Sequence, residues 1–346
     1  MPAPELLENR RGRAAGVLSV AAAATLVLSA CGDGADGGDE GDAGTGDGVG
    51  TITVEDNHGS HEIDMDEVDS IVATSNQDFR TLEEFGVELS AAPRDLMDAE
   101  THGYAEDEDI LNTGSHREPD LEQIIAAEPD LVINGQRYGG DTHAQIEDLV
   151  EEAGFDAPVL ELNPLEDQDL AEGLIWKTET LGEIFGQEET AQQLVDEFET
   201  EIERVQENLP EDATFMALMT SGGDIQYLAP GDGRTLGPLF EIFDLEPALE
   251  VEAEDESHGD DISVEAIAEA DPDWLLVTDR DARLDSDDPE YQPAEELLSG
   301  SPALQQTTAI EEGNIVYTPD NMYLTEDIQA YTELFRDFAD ALEAAE

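Results

Sequence analysis

The stretch Asp120-Leu-Glu-Gln-Ile-Ile-Ala-Ala-Glu-Pro-Asp-Leu-Val-Ile-Asn-Gly-Gln-Arg137 has a counterpart later in the chain, Ile262-Ser-Val-Glu-Ala-Ile-Ala-Glu-Ala-Asp-Pro-Asp-Trp-Leu-Leu-Val-Thr-Asp-Arg280. Each copy runs from an amphipathic helical segment through a Pro-Asp turn into a short apolar β-type run, and ends on arginine. A helix feeding a buried strand is the repeating unit of α/β architecture, so each copy predicts one α/β lobe. Pro129 to Arg137 and Pro272 to Arg280 have the same spacing. The two arginines are therefore expected at the carboxyl ends of equivalent strands, where open α/β sheets bind their ligands.

Outward from these copies the alternation continues. Ser70–Thr74, Leu131–Asn134, Val159–Leu162, Thr214–Met219, Trp274–Thr278 and Asn314–Tyr317 read as strands, and Leu121–Ala127 and His143–Ala153 as helices. Order begins near the β-like Thr51-Ile-Thr-Val54. Between 167 and 209 the pattern is helical only: Leu170, Leu174, Thr178, Leu181 and Ile184 share one face, and Ala191, Leu194, Val195, Phe198, Ile202 and Val205 continue at helical spacing. Gly186 separates the two pieces and Pro210 stops the second. A last helix is expected over Thr325–Ala345. The fold expected is α/β, with two Rossmann-like lobes, residues 51–166 and 210–346, joined by a single long helix within 167–209. Such a helical hinge should permit only modest closure.

The start of the chain reads as a targeting segment. Arg10, Arg11 and Arg13 precede an apolar or small stretch, Ala14–Ala30, and Leu28-Ser-Ala-Cys31 follows. A basic start, a short apolar core and small residues before a cut site define a secretory signal over residues 1–30. Leu-Ser-Ala-Cys resembles the bacterial lipobox, which implies a lipidated (palmitoylated) Cys31 at the mature N-terminus. Paired arginines leave twin-arginine export open beside the general route. Cys31 is the one cysteine in the sequence, so no intrachain disulfide forms. Residues 31–50, mostly Gly, Asp and Ala, read as a flexible acidic linker.

Charge narrows the partners. The chain has 88 acidic against 13 basic residues, a formal net charge of −75, yet 39% hydrophobic residues, enough for a core. This looks like halophilic salt adaptation, and it disfavours nucleic acid and anionic lipid, whose phosphates would be repelled. After residue 31 there are nine arginines and a single lysine, Lys177. Arg204 and Arg336 fall on acidic helices and read as surface ion pairs. Arg137 and Arg280 end strands, and Arg234 lies in the glycine-rich loop Ala229-Pro-Gly-Asp-Gly-Arg-Thr-Leu-Gly237, which can fold closely around a ligand.

The segment Leu121–Ile133 resembles the lead into the Pro-Asp-Leu strand of periplasmic binding proteins for iron complexes and vitamin B12, the class III type with a helical backbone. Gln136-Arg137, Gly231-Asp-Gly-Arg234, Ser257-His-Gly259, Thr278-Asp-Arg280 and Met322-Tyr-Leu324 resemble the catecholate-siderophore members, of ferric enterobactin and petrobactin type. The resemblance implies a lipid-anchored binding protein on the extracytoplasmic face of the cell membrane. Its ligand would be an Fe(III)-siderophore, its partners an ABC permease and ATPase, and it would be a monomer with no intrinsic cofactor. The implied pocket is Arg137 from the first lobe with Arg234, Arg280, His258 and Tyr323 from the second. Guanidinium groups suit a trianionic ferric tris-catecholate because they combine charge, planar hydrogen bonding and stacking. His258 and Tyr323 would complete the iron shell if the siderophore supplied only four donors.

Other readings remain. Haem or cobalamin would not require three converging arginines, and a surface adhesion lipoprotein would need no polar cleft. A zinc or manganese carrier would require His58, His61, His102, His116 or His143 to converge. No two of these have helical i, i+4 spacing, and they read as ordinary surface histidines. Nucleophile elbow, phosphate-binding glycine motif, redox CxxC and EF-hand spacing are all missing, so the sequence points to a binding protein rather than an enzyme.

Overall fold

The computed structural model describes residues 49–346 apart from 116–117, 166–167, 252–258, 285, 287 and 346. The signal segment, Cys31 and nearly all of the linker therefore lie outside the described residues, as do His116, Arg117 and His258. The first element is a hairpin, Thr51–Glu55 antiparallel to Ser60–Asp64. Val54 and Ile63 supply its buried side.

The N-terminal sheet has five parallel strands in the order Leu111–Asn112, Ala91–Ala92, Ile71–Ala73, Leu131–Asn134 and Val159–Glu161. Leu131–Asn134 is buried at every position, as a central parallel strand covered on both faces should be. Beyond Ala73 the chain continues through Thr74-Ser-Asn-Gln-Asp78, and all five polar residues are buried. Here the sheet's carboxyl end becomes a hydrogen-bonding surface.

The C-terminal sheet is mixed. Thr214–Ser221, Trp274–Asp279 and Ile315–Tyr317 run parallel, while Asp224–Leu228 returns antiparallel and is edged by Asp260–Asp261. Glu246–Pro247 pairs beside the start of Thr214–Ser221. The antiparallel return is made by Gly222-Gly223, both at positive φ, the geometry a two-residue hairpin turn demands.

The segment between the sheets is two helices, Leu170–Phe185 and Glu188–Asn208, rather than one. Gly186 adopts φ 62° and ends the first, and Gly182 packs so closely on Ala191 that a Cβ there would sit 2.5 Å from the alanine methyl. The sequence contains both causes, because glycine alone meets the backbone twist and the contact at low cost. The last helix, Ile328–Ala345, begins later than the expected Thr325. Glu326 at φ 48° closes a short turn of helix, Met322–Thr325, and Asp327 Oδ1 then accepts from Ala330 N at 2.7 Å as a new N-cap.

Aromatic packing joins that helix to the second interlobe helix and the C-terminal sheet. Phe335 stacks on Phe198 with centroids 5.5 Å apart and meets Phe243 edge-on at 5.0 Å. Phe338 lies between Phe215 and Trp274, 6.1 and 6.3 Å away. Such pairs add about 0.5–1.5 kcal/mol each beyond area burial. Lys177 is buried against Gln77 Oε1 at 2.9 Å and Asp78 Oδ1 at 3.2 Å, so the chain's lysine is a core cation and not a surface one.

Candidate functional site: three guanidinium groups around one tyrosine

The strands Leu131–Asn134 and Trp274–Asp279 each deliver an arginine at the carboxyl end, and the glycine loop delivers a third. All three converge on Tyr323. Its ring centroid is 5.9 Å from the Arg137 guanidinium carbon, 4.0 Å from that of Arg234 and 5.5 Å from that of Arg280. Every distance is within cation–π range, and Arg234 is stacked on the ring.

The backbone carbonyl of Tyr323 is a second point of convergence. It accepts from Arg137 Nη2 at 3.0 Å and from Arg234 Nη2 at 3.2 Å. Arg137 also donates from Nε to Asn76 Oδ1 at 3.0 Å. The Asn76 amide nitrogen in turn donates to the carbonyls of Leu324 and Thr325. The first lobe thus clasps the short Met322–Thr325 helix of the second through Arg137 and Asn76.

The three arginines are compensated differently. Glu326 receives Arg234 in a bidentate pair, Nε to Oε1 at 2.9 Å and Nη2 to Oε2 at 2.5 Å, and Thr235 Oγ1 donates to Oε1 at 2.7 Å. Burial would raise the Glu326 carboxyl, but Arg234, with Arg137 and Thr235 behind it, outweighs burial and holds it below the ordinary range. Arg280 donates from Nη1 to Ser221 Oγ at 2.9 Å and to Asp281 Oδ1 at 3.1 Å, and its Nε is buried without a hydrogen-bond partner among the described residues. Among the described residues, Glu326 thus answers Arg234 and Asp281 answers Arg280. No hydrogen bond engages the Tyr323 hydroxyl among the described residues.

Four of the five residues expected at the pocket, Arg137, Arg234, Arg280 and Tyr323, lie together. His258 is outside the described residues. Arg204 and Arg336 are surface pairs as expected, both reaching Glu201. The histidine expectation needs correction for two positions. His102 and His143 are 1% and 2% exposed, not surface residues. Burial lowers the His102 pKa to about 4. His58 and His143 stack with ring centroids 4.2 Å apart, but on the first lobe, and His61 turns to Asp56, so no histidine site forms between the lobes among the described residues. A cavity of about 700 Å³ beside the hairpin is lined by Glu62, Asp64, Glu67 and Glu151 and by no arginine. An anionic ligand would be repelled there.

The sequence pattern of the periplasmic binding protein family matches residues 71–322, most of the described fold. The chain belongs to that family. This periplasmic binding protein is 27% identical over 267 residues to the ferric-anguibactin-binding protein FatB of Vibrio anguillarum, covering 76% of this chain and 75% of FatB. It is 22% identical over 270 residues to the petrobactin-binding protein YclQ of Bacillus subtilis, covering 76% and 79%. Among solved structures, the siderophore-binding protein BauB, bound to two acinetobactin molecules and ferric iron, superposes with TM-score 0.68 at 25% identity, over 84% of this chain and 98% of that one. The family's class III architecture, two α/β lobes with a helical connection, is the one observed.

Residues that the sequence did not single out support the site. Asn76 lies in the buried polar run Thr74–Asp78, and a polar run directly after an apolar strand was the available signal. Glu326 had no signal of its own among 88 acidic residues. Asp281 and Ser221 owe their roles to strand register, since Thr220 pairs with Asp279 and brings the two strand ends level.

Proposed function

We propose that this periplasmic binding protein captures a ferric siderophore, of catecholate type, outside the cell membrane and delivers it to an ABC permease driven by its ATPase. The observation that carries the reading is the convergence of Arg137, Arg234 and Arg280 on Tyr323. In a chain of net charge −75, three cations at one point are a site for an anion. Relatives named for ferric anguibactin, petrobactin and other siderophores support it. Glu326 and Asp281 offset charge on Arg234 and Arg280, so recognition depends on directional donors more than on net charge. The partly exposed guanidinium groups of Arg280 and of ring-stacked Arg234 are what a planar, oxygen-rich polyanion would meet. Ferric iron prefers hard anionic oxygen donors, and the Tyr323 hydroxyl, with His258, would supply ligands to an incompletely chelated iron.

In the same reading, residues 1–30 direct export, Cys31 carries the lipid anchor, 31–50 is the tether, and the monomeric protein acts as a carrier without intrinsic cofactor or catalysis. No described helix is long and apolar enough to cross a membrane. The acidic surface fits a protein working in brine. At about 1 M salt the Debye length is about 3 Å, so a trianion would sense the local arginines and not the remote carboxylates.

The test is a fluorescence-quenching titration in concentrated NaCl against ferric enterobactin, ferric petrobactin, ferrioxamine, haem, cobalamin and zinc. Saturable one-to-one binding of a ferric catecholate, weakened by dilution of the salt, supports the proposal. Preference for haem or cobalamin, or tighter catecholate binding by the folded protein at very low salt, contradicts it.

A further inference from the structure

Apart from the arginine cleft, the first lobe holds a second constructed cluster. The hairpin turn that carries His58 is stapled to the edge strand Val159–Glu161. Asp56 Oδ2 accepts from Glu161 N at 2.8 Å, while its Oδ1 accepts from His58 N at 2.8 Å and Gly59 N at 2.9 Å. Asn57 N donates to Glu161 O at 3.2 Å, and Asn57 Oδ1 accepts from Asn163 N at 2.8 Å. These bonds fix the His58 backbone against the strand end. The helix Asp141–Ala153 presents His143 to the same place.

Here two imidazoles and one carboxylate meet. His58 Nε2 is 2.6 Å from Glu161 Oε2, His143 Nδ1 is 3.6 Å from the same oxygen, and one donor atom from each residue lies within 4.8 Å of the others. Asn163 Nδ2 donates to Glu161 Oε1 at 2.7 Å and leaves Oε2 turned to the histidines. The His143 ring is 2% exposed and Asn134 Nδ2 lies 3.0 Å from its Nδ1. Its Nε2 is buried without a hydrogen bond among the described residues, 3.7 Å from Glu147 Oε2. A cation held on Nδ1 leaves the proton on Nε2, turned toward Glu147, the outer carboxylate that a ligating histidine uses.

We propose that His58, His143 and Glu161 form a binding site for a divalent first-row transition cation of the zinc class. Two imidazoles with a carboxylate are zinc-type donors, whereas calcium and magnesium favour all-oxygen shells. Bonds of about 2.0–2.2 Å to such a cation separate neighbouring donors by roughly 3–3.6 Å. The His143–Glu161 separation of 3.6 Å already fits, and a cation there would replace Asn134 Nδ2, 3.0 Å away, as the partner of His143 Nδ1. The His58–Glu161 contact must open, which His58 can do because its side chain is 46% exposed. Glu147 reaches from the helix to His143 Nε2 and also lines the acidic cavity of about 700 Å³. That cavity gives a cation an approach through favourable potential. The hydrogen bonds of Asn163 to Glu161 and of Asp56 to the turn are the supporting contacts that orient metal ligands. All three ligands belong to the first lobe, so the site is independent of the proposed ferric ligand and would lock the hairpin onto the sheet.

The test is titration of the purified chain with cobalt(II) and zinc(II), with excess calcium present to saturate diffuse carboxylate binding. One equivalent should bind, with a visible cobalt spectrum of nitrogen-ligated type. His58→Ala and Glu161→Gln should each weaken binding at least about 10-fold, with ferric-ligand titration unchanged. His58 lies on an exposed turn, so His58→Ala decides the matter should Glu161→Gln fail to fold. Binding that calcium abolishes, or a His58→Ala chain that binds cobalt like the wild type, would overturn the proposal.

Discussion

Arg137 and Arg280 end equivalent strands of the two lobes at the same offset from a Pro-Asp turn, yet they are held in different ways. Arg280 is tied within its own lobe, to Ser221 and Asp281. Arg137 is tied across the lobes, to Asn76 on its own side and to the Tyr323 carbonyl on the other. One copy of the motif therefore presents a locally fixed donor, and the other makes the site depend on how the lobes sit. Repetition placed the charges, and the contacts made after folding divided the labour.

Substitutions can break this comparison, and the largest effect should come from the arginine outside the repeat. Arg234→Ala leaves Glu326 buried with its charge partner gone. Removing one partner of a buried pair costs about 3–5 kcal/mol, which urea unfolding in concentrated salt would register together with loss of ligand binding. Adding Glu326→Gln should recover much of the stability and none of the affinity.

Arg137→Ala and Arg280→Ala should both weaken ferric-ligand binding, each by about 10–100-fold, the worth of a charge-assisted hydrogen bond. They should part on a second readout. Arg137→Ala should speed hydrogen exchange around Asn76 and in Met322–Thr325, whereas Arg280→Ala should leave exchange there unchanged. Equal exchange in the two variants would erase the distinction between them.

Behind Arg137 the lobes also meet at buried carboxylates. Burial raises the Asp327 pKa to about 6, against the pull of Arg80, whose Nη1 is 3.4 Å away. Burial raises Asp78 as well, despite Lys177. For Asp327 the folded protein holds a proton that the unfolded chain, with an ordinary value of about 3.9, releases. Stability from this group is therefore greatest at low pH and declines as pH rises from about 4 through about 6. Asp327→Asn should remove that slope, gaining about 1–3 kcal/mol at pH 7 relative to the wild type and nothing at pH 4, as read from unfolding curves at constant salt. The smallest effect should come from Arg283, which bridges from the second lobe to Glu100 and, at 3.5 Å, to Asp98 on the first. This pair is exposed, and Arg283→Ala should cost less than about 1 kcal/mol.

The sequence revealed what is periodic or scarce. Apolar runs such as Leu131–Asn134 and Trp274–Asp279 fixed the strands, because a buried parallel strand cannot be built from anything else. The arginines were legible because there are so few of them. Hidden were the features that depend on one residue's backbone or on spatial neighbours. Glu326 breaks the last helix through a left-handed turn that no glycine marks. The hairpin strand Ser60–Asp64 carries only one buried apolar residue, Ile63, and its turn brings His58 beside His143 from across the sequence. Nothing in the sequence marked Lys177 as buried, and Gln77 and Asp78 make it a core cation.

The central claim, that scarce guanidinium groups around Tyr323 hold a polyanionic iron chelate, is tested most directly by titrating ferric enterobactin into wild-type, Arg280→Ala and Arg280→Lys proteins in concentrated NaCl. The wild type should bind one equivalent. Both variants should stay folded and bind about 10–100-fold more weakly, the lysine included, since it restores charge without the planar donors. Wild-type affinity in the alanine variant would contradict the account.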